Sequence, residues 1–569
     1  MRSTFSILSR LQPGKALHPV VFSLLLTLLL CLVYNGPLWR LILDQPYSNE
    51  LNRWLFSAAF LSFMAAVIQL FMGLLAWPWL IKPVAVALLL SAAAINYFME
   101  SYGILIDKTM VQNLFETDVA EASDLINTDL LLHLFFKGVI PAALVLLIPL
   151  QRVSVKSQLV AQCLNLLVAG MLIGLNLSAL NKEYASLFRN HREIRNLAVP
   201  SNYLYYTSRY LAGAYEPEQK TFTSLGTDAI KQPAPNGKPD LLVVVLGETA
   251  RSQNFALNGY AADTNPALSK RPVVSFSNVN ACGTSTAVSV PCMFSLMTQS
   301  GYKEGKARYQ SNVLDILQQA GIRVLWRDNN SGCKGVCDRV PNQTPRQLNA
   351  DADCDGSECY DPQMLNGLQN WLKQSPQSTV IVLHQKGSHG PAYYKRVPGE
   401  FQHFAPTCTS NQLQDCSQQA ITNAYDNTIR YTDYFLDRVI AFLQQQDAEY
   451  NTAMLYISDH GESLGENNLY LHGMPWLLAP EEQKKVPLIT WLSTTYQQSH
   501  GLKTECLATQ KDRALSHDYL THSLLGLVKV STQVYDPSLD LFDTCRSSAA
   551  TSERLAHNPA SASKSAQGS

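Results

Sequence analysis

The first third of the chain is a series of long apolar stretches separated by short polar ones. A helix that crosses a bilayer needs about 20 apolar residues, because its backbone amides must be satisfied within the helix. Five stretches meet this requirement, and the fourth contains one charge, Lys137. We predict spans at residues 16–37, 54–77, 80–99, 131–150 and 157–181, so that residues 1–181 form a five-helix transmembrane domain.

Positive residues predict the orientation of these spans, because they collect on the cytoplasmic side. If there are five spans, one side of the membrane receives Arg2, Arg10, Lys15, Lys82, Arg152 and Lys156. Everything after about residue 182 then lies on the opposite face, which is the periplasm if the chain belongs to a bacterial inner membrane. The alternative for the first span is a cleaved signal peptide, but no small-residue cleavage site follows it and four more spans do.

Beyond the membrane domain, apolar runs of strand length alternate with longer, helix-like segments. The runs are Leu241–Leu246, Ile322–Trp326, Val380–Leu383, Ala453–Ile457 and Leu488–Leu492. This alternation predicts an α/β domain with a mostly parallel central sheet over residues 237–545. Residues 182–236 are polar and tyrosine-rich and predict a bridging helix and linker, whereas the Ser/Ala-rich residues 546–569 predict a disordered tail.

Composition narrows the class of protein. Charged residues make up 16% of the chain and the net charge is -1, so no basic excess exists to bind nucleic acid. Cysteines favour an oxidising compartment, because eight of the ten outside the spans form sequence-adjacent couples and two remain as a fifth pair. Zinc held by Cys333 and Cys337 is an alternative, but the spacings give no four-ligand pattern. The predicted disulfide cysteines are Cys282, Cys292, Cys333, Cys337, Cys354, Cys359, Cys408, Cys416, Cys506 and Cys545.

Metal-ligating residue types follow two of the predicted strands. Glu248 comes directly after one strand, and Asp459 and His460 come after another. Functional groups of an α/β sheet collect at the carboxyl ends of its strands, and two carboxylates with a histidine suit Zn²⁺. The alternative for Glu248 alone is a simple cap at the strand end.

A hydroxyl-rich turn, GTSTAVSVPCMFS at residues 283–295, offers nucleophiles. If a helix begins there, its free amides attract phosphate, and a hydroxyl beside a metal is activated for attack. Spacing does not choose among the hydroxyls, and an ordinary N-cap is the alternative. The candidates are Thr284, Ser285, Thr286 and Ser289.

Five ordered motifs resemble one family of enzymes. They are GETARSQNFALNGYA (247–261), NACGTSTAVSVPCMFS (280–295), LWRDNNSGCKGVC (325–337), LHQKGSHGPAYYKR (383–396) and SDHGESLGENNLYLHGMPW (458–476). They closely resemble the bacterial phosphoethanolamine transferases that modify lipid A, which include the mobile colistin-resistance enzymes and belong to the alkaline phosphatase/sulfatase superfamily. The resemblance runs from the first span to about Cys545 and implies a sulfatase-like fold for the periplasmic domain.

The resemblance also implies roles for individual residues. It implies one tightly bound zinc ion, held by Glu248, Thr286, Asp459 and His460, and does not decide whether a second ion binds. It also implies that Thr286 is the nucleophile. Histidines that match His389 and His472 contact phosphate or a second zinc in the family, and a lysine that matches Lys334 lies nearby. For both histidines the alternative is an exposed loop position.

A donor-binding surface is implied between the third and fourth spans. Asn113, Thr117 and Glu121 recur at helical spacing and so share one face of a predicted helix. The family uses residues of this pattern for the ethanolamine head group, and the alternative is a solvated face of an interfacial helix.

The implied activity moves phosphoethanolamine from phosphatidylethanolamine to a phosphate of lipid A through a phosphoethanolamine-threonine intermediate. Adding an ammonium to an anionic lipid weakens its attraction for cationic peptides, so polymyxin and colistin resistance is expected. The alternatives are a core-sugar acceptor for the same donor and a non-catalytic membrane scaffold. A hydrolase of the same fold fits a multi-span anchor less well. A monomer is expected, because no coiled-coil or symmetric interface pattern occurs.

Overall fold

The computed structural model describes residues 16–117, 119–214, 221–348, 354 and 359–547. Arg2, Arg10, Lys15 and all but two residues of the predicted tail therefore lie outside the described residues. The chain divides into two compact units. One, the membrane unit, comprises Met1–Val111 and Ile126–Glu216, and the other, the catalytic-domain unit, comprises Gln112–Leu125 and Pro217–Ser569.

Helices dominate the chain up to residue 214. In order they are α1 (Pro19–Val33), α2 (Gly36–Leu43), α3 (Glu50–Leu74), α4 (Ile81–Tyr102), α5 (Lys108–Glu116), α6 (Val119–Asp124), α7 (Thr128–His133), a π-helix (Leu134–Val139), α8 (Ile140–Leu147), α9 (Val155–Ala179), α10 (Asn181–Asn190), α11 (Ile194–Leu197) and α12 (Ser201–Ala214).

Four of the predicted spans are single membrane-length helices, and the first is broken. Of the described residues, four helices are long and apolar enough to cross a membrane, or five if α1 and α2, bent by 67°, form one span. The break falls where Gly36 and Pro37 begin α2, because proline cannot continue the preceding helix. Asn35 donates side-chain hydrogen bonds to Leu30 O and Val199 O and so stabilises the bend.

Lys137 is accommodated in the fourth span by neighbouring polar side chains. Its ammonium lies 3.1 Å from Glu100 Oε2 and 2.9 Å from Asn96 Oδ1. The ring of His133 also contacts Asn96 Oδ1, at 3.1 Å. We call Asn96, Glu100, His133 and Lys137 the intramembrane polar cluster. Lys137 lies in the π-helix, a distortion often found where a helix carries a special side chain.

The strands of the catalytic-domain unit are mostly buried. They are β1 (Ile230–Lys231), β2 (Asp240–Gly247), β3 (Val273–Asn280), β4 (Arg323–Asp328), β5 (Asn342–Gln343), β6 (Thr379–His384), β7 (Asn451–Ser458), β8 (Ser463–Leu464), β9 (Tyr470–Leu471), β10 (Lys485–Leu492), β11 (Leu515–Ser516) and β12 (Val530–Ser531). Its helices are α13 (Thr286–Met293), α14 (Glu304–Ala307), α15 (Val313–Gln319), α16 (Leu368–Lys373), α17 (Gln418–Gln446), α18 (Glu481–Lys484), α19 (Thr494–His500), α20 (Thr504–Thr509) and α21 (Asp518–Leu527).

The central sheet is mixed, and its parallel part holds most of the predicted strands. Its order is β11-β3-β10-β7-β2-β6-β4-β5. Strands β7, β2, β6, β4 and β5 are parallel, but β10 is antiparallel to both of its neighbours. The prediction of a mostly parallel sheet is confirmed, although Leu488–Leu492 lies in the antiparallel strand β10. Strand β3 was not predicted because only alternate residues of it are buried.

Two apolar layers cover the faces of this sheet. Alternate residues of β2 point to opposite faces, so Leu242 and Val244 belong to one core cluster while Val243 and Val245 belong to the other. The 29-residue helix α17 supplies much of the second layer. A strand buried on both faces leaves its functional groups only at its ends.

Disulfides join the cysteine couples as expected. The pairs are Cys282–Cys292, Cys333–Cys337, Cys354–Cys359, Cys408–Cys416 and Cys506–Cys545. The bond between Cys333 and Cys337 excludes the alternative of zinc held by their thiolates. Arg546, predicted as part of the tail, is instead buried and contacts Asp540 at 3.2 Å.

Candidate active site

Two adjacent parallel strands bring the metal-ligating side chains together. Gly247, the last residue of β2, pairs with Ser458, the last residue of β7. Glu248 and Asp459, which follow them, are fully buried side by side, as is His460. Gly387 approaches Glu248 from the loop after β6, and a side chain there would meet the Glu248 carbonyl oxygen at 2.8 Å. Its φ of 53° also favours glycine.

One ligand atom from each of Glu248, Asp459 and His460 lies within 4.8 Å of the other two. Asp459 Oδ1 accepts backbone hydrogen bonds from Thr249 and His460, at 3.2 and 2.7 Å. Its other oxygen, Oδ2, is buried and makes no hydrogen bond among the described residues, although it lies 3.3 Å from His460 Nε2. Such an orphaned carboxylate oxygen fits a cation, since a buried charge without a partner is costly.

The pKa shifts of the three metal-ligating side chains fit a site that binds a cation. Burial, together with the charge of Asp459, raises the pKa of Glu248 to about 7. Burial also raises the pKa of Asp459 to about 7 and lowers the pKa of His460 well below its usual value. His460 Nδ1 lies 2.9 Å from Gly461 O, so the neutral ring donates there and presents Nε2 to the carboxylates.

The structure separates the four hydroxyl candidates of the turn. Thr286 begins α13, and its Oγ1 lies 3.1 Å from Glu248 Oε2 and 3.3 Å from His460 Nε2. Thr284 and Ser289 donate instead to the backbone oxygens of Met474 and Asp459. Ser285 Oγ is buried without a hydrogen-bond partner among the described residues. Thr286 is therefore the hydroxyl that the fold presents to the metal-ligating set.

Two further histidines pack beside His460. The ring centroids of His460 and His472 are 4.4 Å apart, and those of His389 and His472 are 5.4 Å apart. His472 Nδ1 lies 2.8 Å from Glu462 Oε2, and Tyr393 donates to the other oxygen of Glu462 at 2.6 Å. Both histidines thus belong to the site, and His389 is buried rather than exposed.

Glu462 and Asn330 also belong to the site but were not predicted from the sequence. Glu462 contacts His472, and Asn330 contacts Glu248. Asn330 Nδ2 donates to Glu248 Oε2 at 2.5 Å. Both residues stand inside the motifs quoted above, but their contacts depend on how distant loops meet. The sequence signal for both residues is their position inside these motifs.

Lys334 borders a cleft next to Thr286. The cleft has a volume of about 500 Å³, and its lining includes Ala287, which follows Thr286, and Ser331. Lys334 Nζ donates to Ser331 Oγ at 3.1 Å and to the Glu116 carbonyl oxygen at 3.3 Å. The ammonium group of Lys334 therefore provides a positive charge in the cleft that α13 borders.

The expected donor-binding helix is shorter than predicted. Helix α5 ends at Glu116, so Thr117 lies just beyond it, and Glu121 belongs to the separate helix α6. Thr117 Oγ1 donates to the Asn113 carbonyl oxygen at 2.6 Å. One continuous face through all three residues is not formed, and the side chain of Glu121 lies outside the described part of the chain.

The sheet, with its ligands at the ends of β2 and β7, defines a sulfatase-type enzyme domain. A family model described as Sulfatase matches residues 240–530, and one described as Phosphoethanolamine transferase EptA/EptB matches residues 63–215. The chain is 39% identical to phosphoethanolamine transferase EptA of Escherichia coli (strain K12), over 95% of this chain and 99% of that protein. It is 40% identical to phosphatidylethanolamine transferase Mcr-1 of Escherichia coli, over 80% of this chain and 84% of that protein.

Solved structures agree with these matches. The integral membrane lipooligosaccharide phosphoethanolamine transferase EptA from Neisseria meningitidis has a TM-score of 0.86 at 33% identity, over 93% of this chain and 99% of that chain. The chain belongs to the EptA family of phosphoethanolamine transferases. Its N-terminal domain is in the inner membrane, and its sulfatase-type domain is periplasmic.

Proposed function

We propose that this chain transfers phosphoethanolamine from phosphatidylethanolamine to a phosphate of lipid A, with Thr286 as the nucleophile. The observation that carries the proposal is the position of the Thr286 hydroxyl, at the start of α13 and in contact with Glu248 and His460. The names of the relatives support the transferred group and the lipid donor.

Glu248, Thr286, Asp459 and His460 would hold one zinc ion. The orphaned Asp459 Oδ2 and the raised pKa values of both carboxyls fit a bound cation, and a mixed oxygen and imidazole donor set suits zinc. When bound, the ion would act as a Lewis acid that polarises the phosphoryl group and favours the ionised hydroxyl.

In the first half-reaction, Thr286 Oγ1 bonds to the phosphorus of phosphatidylethanolamine and the bond to the diacylglycerol oxygen breaks. The hydroxyl proton of Thr286 passes to Glu248 Oε2, to which it already donates at 3.1 Å. The free amides at the start of α13 face the added negative charge. His472, oriented by Glu462, donates a proton to the leaving diacylglycerol oxygen. Lys334 and His389 bind phosphoryl oxygens, and Asn113 and Thr117, at the end of α5, bind the ethanolamine group.

In the second half-reaction, an oxygen of the lipid A phosphate attacks the phosphorus of the threonine ester. The bond to Thr286 Oγ1 breaks, and Glu248 returns the proton to the hydroxyl. The proton of the attacking lipid A phosphate passes to His472 and replaces the one that left with diacylglycerol. Product lipid A carries an added ammonium, which predicts polymyxin and colistin resistance.

The test is mass spectrometry of lipid A from polymyxin-sensitive bacteria that express the full chain. Wild type should add phosphoethanolamine, and Thr286→Ala should add none. Thr494→Ala is a matched control, because Thr494 also begins a helix, α19, and is exposed. It should behave as wild type. Phosphoethanolamine found on core sugars instead would show that lipid A phosphate is not the acceptor. Transfer activity in Thr286→Ala would refute the assignment of Thr286 as the nucleophile.

Zinc is tested separately on the purified chain by elemental analysis. We expect one zinc per chain in wild type and in Thr494→Ala, and much less in Asp459→Asn. A wild-type protein that is active without any bound zinc would refute the metal assignment.

A further inference from the structure

A second ligand-sized cavity lies in the membrane unit. It has a volume of about 350 Å³, within the range of small-molecule sites. One wall is the stretch of α3 from Phe60 to Ile68, and the opposite wall comes from residues 188–201, including Phe188. His191, Arg192 and Arg195 also line it. We call this cavity the α3 groove.

The α3 groove starts at the outer end of the spans. Helices α3 and α9 pack antiparallel, with Asn176 donating to Ser62 Oγ at 3.0 Å and Gln162 donating to Gly73 O at 3.2 Å. Ser62 is thus level with the C-terminal end of α9, the last of the spans. From Phe60 to Ile68 the wall runs about 12 Å along the helix axis. The groove therefore follows the apolar middle part of α3, from about the level at which α9 ends.

Its polar residues give the outer part of the groove a positive charge. Arg192 and Arg195 are both exposed, and Arg192 has no ion-pair partner among the described residues. The charge of Arg195 acts on Asp107, whereas Glu193 pairs with His191 at 2.9 Å. Arginine recognises phosphate better than lysine does, because its planar fork matches the phosphate oxygens.

An apolar wall with arginines at its outer end suits a lipid whose head group is anionic. Phosphatidylethanolamine carries an ammonium that offsets its phosphate, whereas the lipid A phosphates have no such partner. We propose that the α3 groove binds the acceptor: an acyl chain of lipid A lies along α3, and a phosphate of lipid A binds Arg192 and Arg195. This inference rests on the proposed function for the identity of the acceptor.

The binding test uses the full chain in detergent, with lipid A, phosphatidylethanolamine or phosphatidylglycerol added, and native mass spectrometry as the readout. The double variant Arg192→Gln/Arg195→Gln should bind lipid A about tenfold more weakly, because charge-assisted contacts are lost. Its binding of phosphatidylethanolamine should be unchanged. Val67→Trp, which fills the groove, should have the same effect. Arg189→Gln is the matched control, because Arg189 is exposed on α10 and does not line the groove.

A kinetic test separates this inference from the proposed function. Release of diacylglycerol without lipid A should stay at the wild-type rate in the arginine variant, while KM for lipid A rises about tenfold and kcat is unchanged. Unchanged lipid A binding in the arginine variant would overturn the inference. So would equal losses for lipid A and phosphatidylglycerol, which indicate a general anionic-lipid site. If wild type itself released no diacylglycerol, the proposed function would fail, and the binding comparison would still decide what the groove holds.

Discussion

The two units of the molecule compensate charged side chains in opposite ways. In the membrane unit, the Lys137 ammonium meets the Glu100 carboxylate at 3.1 Å, and Asn96 contacts both. In the catalytic-domain unit, Glu248 and Asp459 lie side by side, and no lysine or arginine of the described residues pairs with either. The first arrangement is complete within the chain, whereas the second needs a cation from outside. A buried charge that the chain itself leaves uncompensated is thus the better sign of a functional site.

The largest effect is expected from a substitution that removes one of the uncompensated charges. Asp459→Asn should lower transfer activity about a thousandfold or more, because the metal-ligating set loses a charged oxygen. Lipid A modification per mole of purified chain is the measurement. Asp512→Asn, on an exposed carboxyl, should keep wild-type activity. Comparable activity in both variants would contradict the role of Asp459.

The next effect concerns pH and stability of the metal-free chain. The pKa of Glu248 is about 7 in the folded state, against 4.5 ordinarily, because of burial and the charge of Asp459. Its contribution to stability is therefore present below about pH 4.5 and is lost as the pH rises through about 7. Relative to wild type, metal-free Glu248→Gln should gain about 3 kcal/mol of unfolding free energy between about pH 5 and about pH 8.

Thermal unfolding in the presence of a chelator measures this gain. A difference between Glu248→Gln and wild type that does not change with pH would contradict the raised pKa. With zinc bound, the wild type should become the more stable of the two proteins, since ligand binding to the folded state stabilises it.

A smaller effect is expected from a residue that contacts a metal-ligating side chain. Asn330→Ala removes the hydrogen bond to Glu248 Oε2 and should weaken zinc binding about ten- to a hundredfold. Competition with a coloured chelator would measure the affinity. Asn329→Ala offers a comparison, because Asn329 contacts Asp361 and the Cys359 carbonyl instead. Equal affinities in Asn330→Ala and wild type would show that Asn330 does not position Glu248.

The smallest effect is expected in the membrane unit. Glu100→Gln leaves Lys137 without its anion and should destabilise the folded chain by about 1–2 kcal/mol, less than a fully buried pair because both side chains are partly exposed. The double variant Glu100→Gln/Lys137→Gln should recover most of the loss. Thermal unfolding in detergent provides the comparison, and purely additive losses would mean that the two charges do not interact.

Patterns within one segment were predictable, and contacts between segments were not. Strands β2 and β7 are continuous apolar runs, so Glu248 and Asp459 at their ends could be found from the sequence. The break before α2 does not show in the hydropathy, which is continuous through Tyr34, but Gly36 and Pro37 mark it in the sequence. Asn330 and Glu462 became visible only when loops from different strands met. The α3 groove was missed for the same reason, since its walls lie more than a hundred residues apart along the chain.

Four of the five disulfides join cysteines only 4 to 10 residues apart. Neighbours this close meet often even in an unfolded chain, because the entropy of closing a loop grows with its length. Each of these bonds can therefore form as soon as its own segment reaches the oxidising side of the membrane, before the sheet exists. Only Cys506–Cys545, which spans 39 residues, depends on distant parts of the chain being in place. Oxidation during export thus needs little later correction by an isomerase.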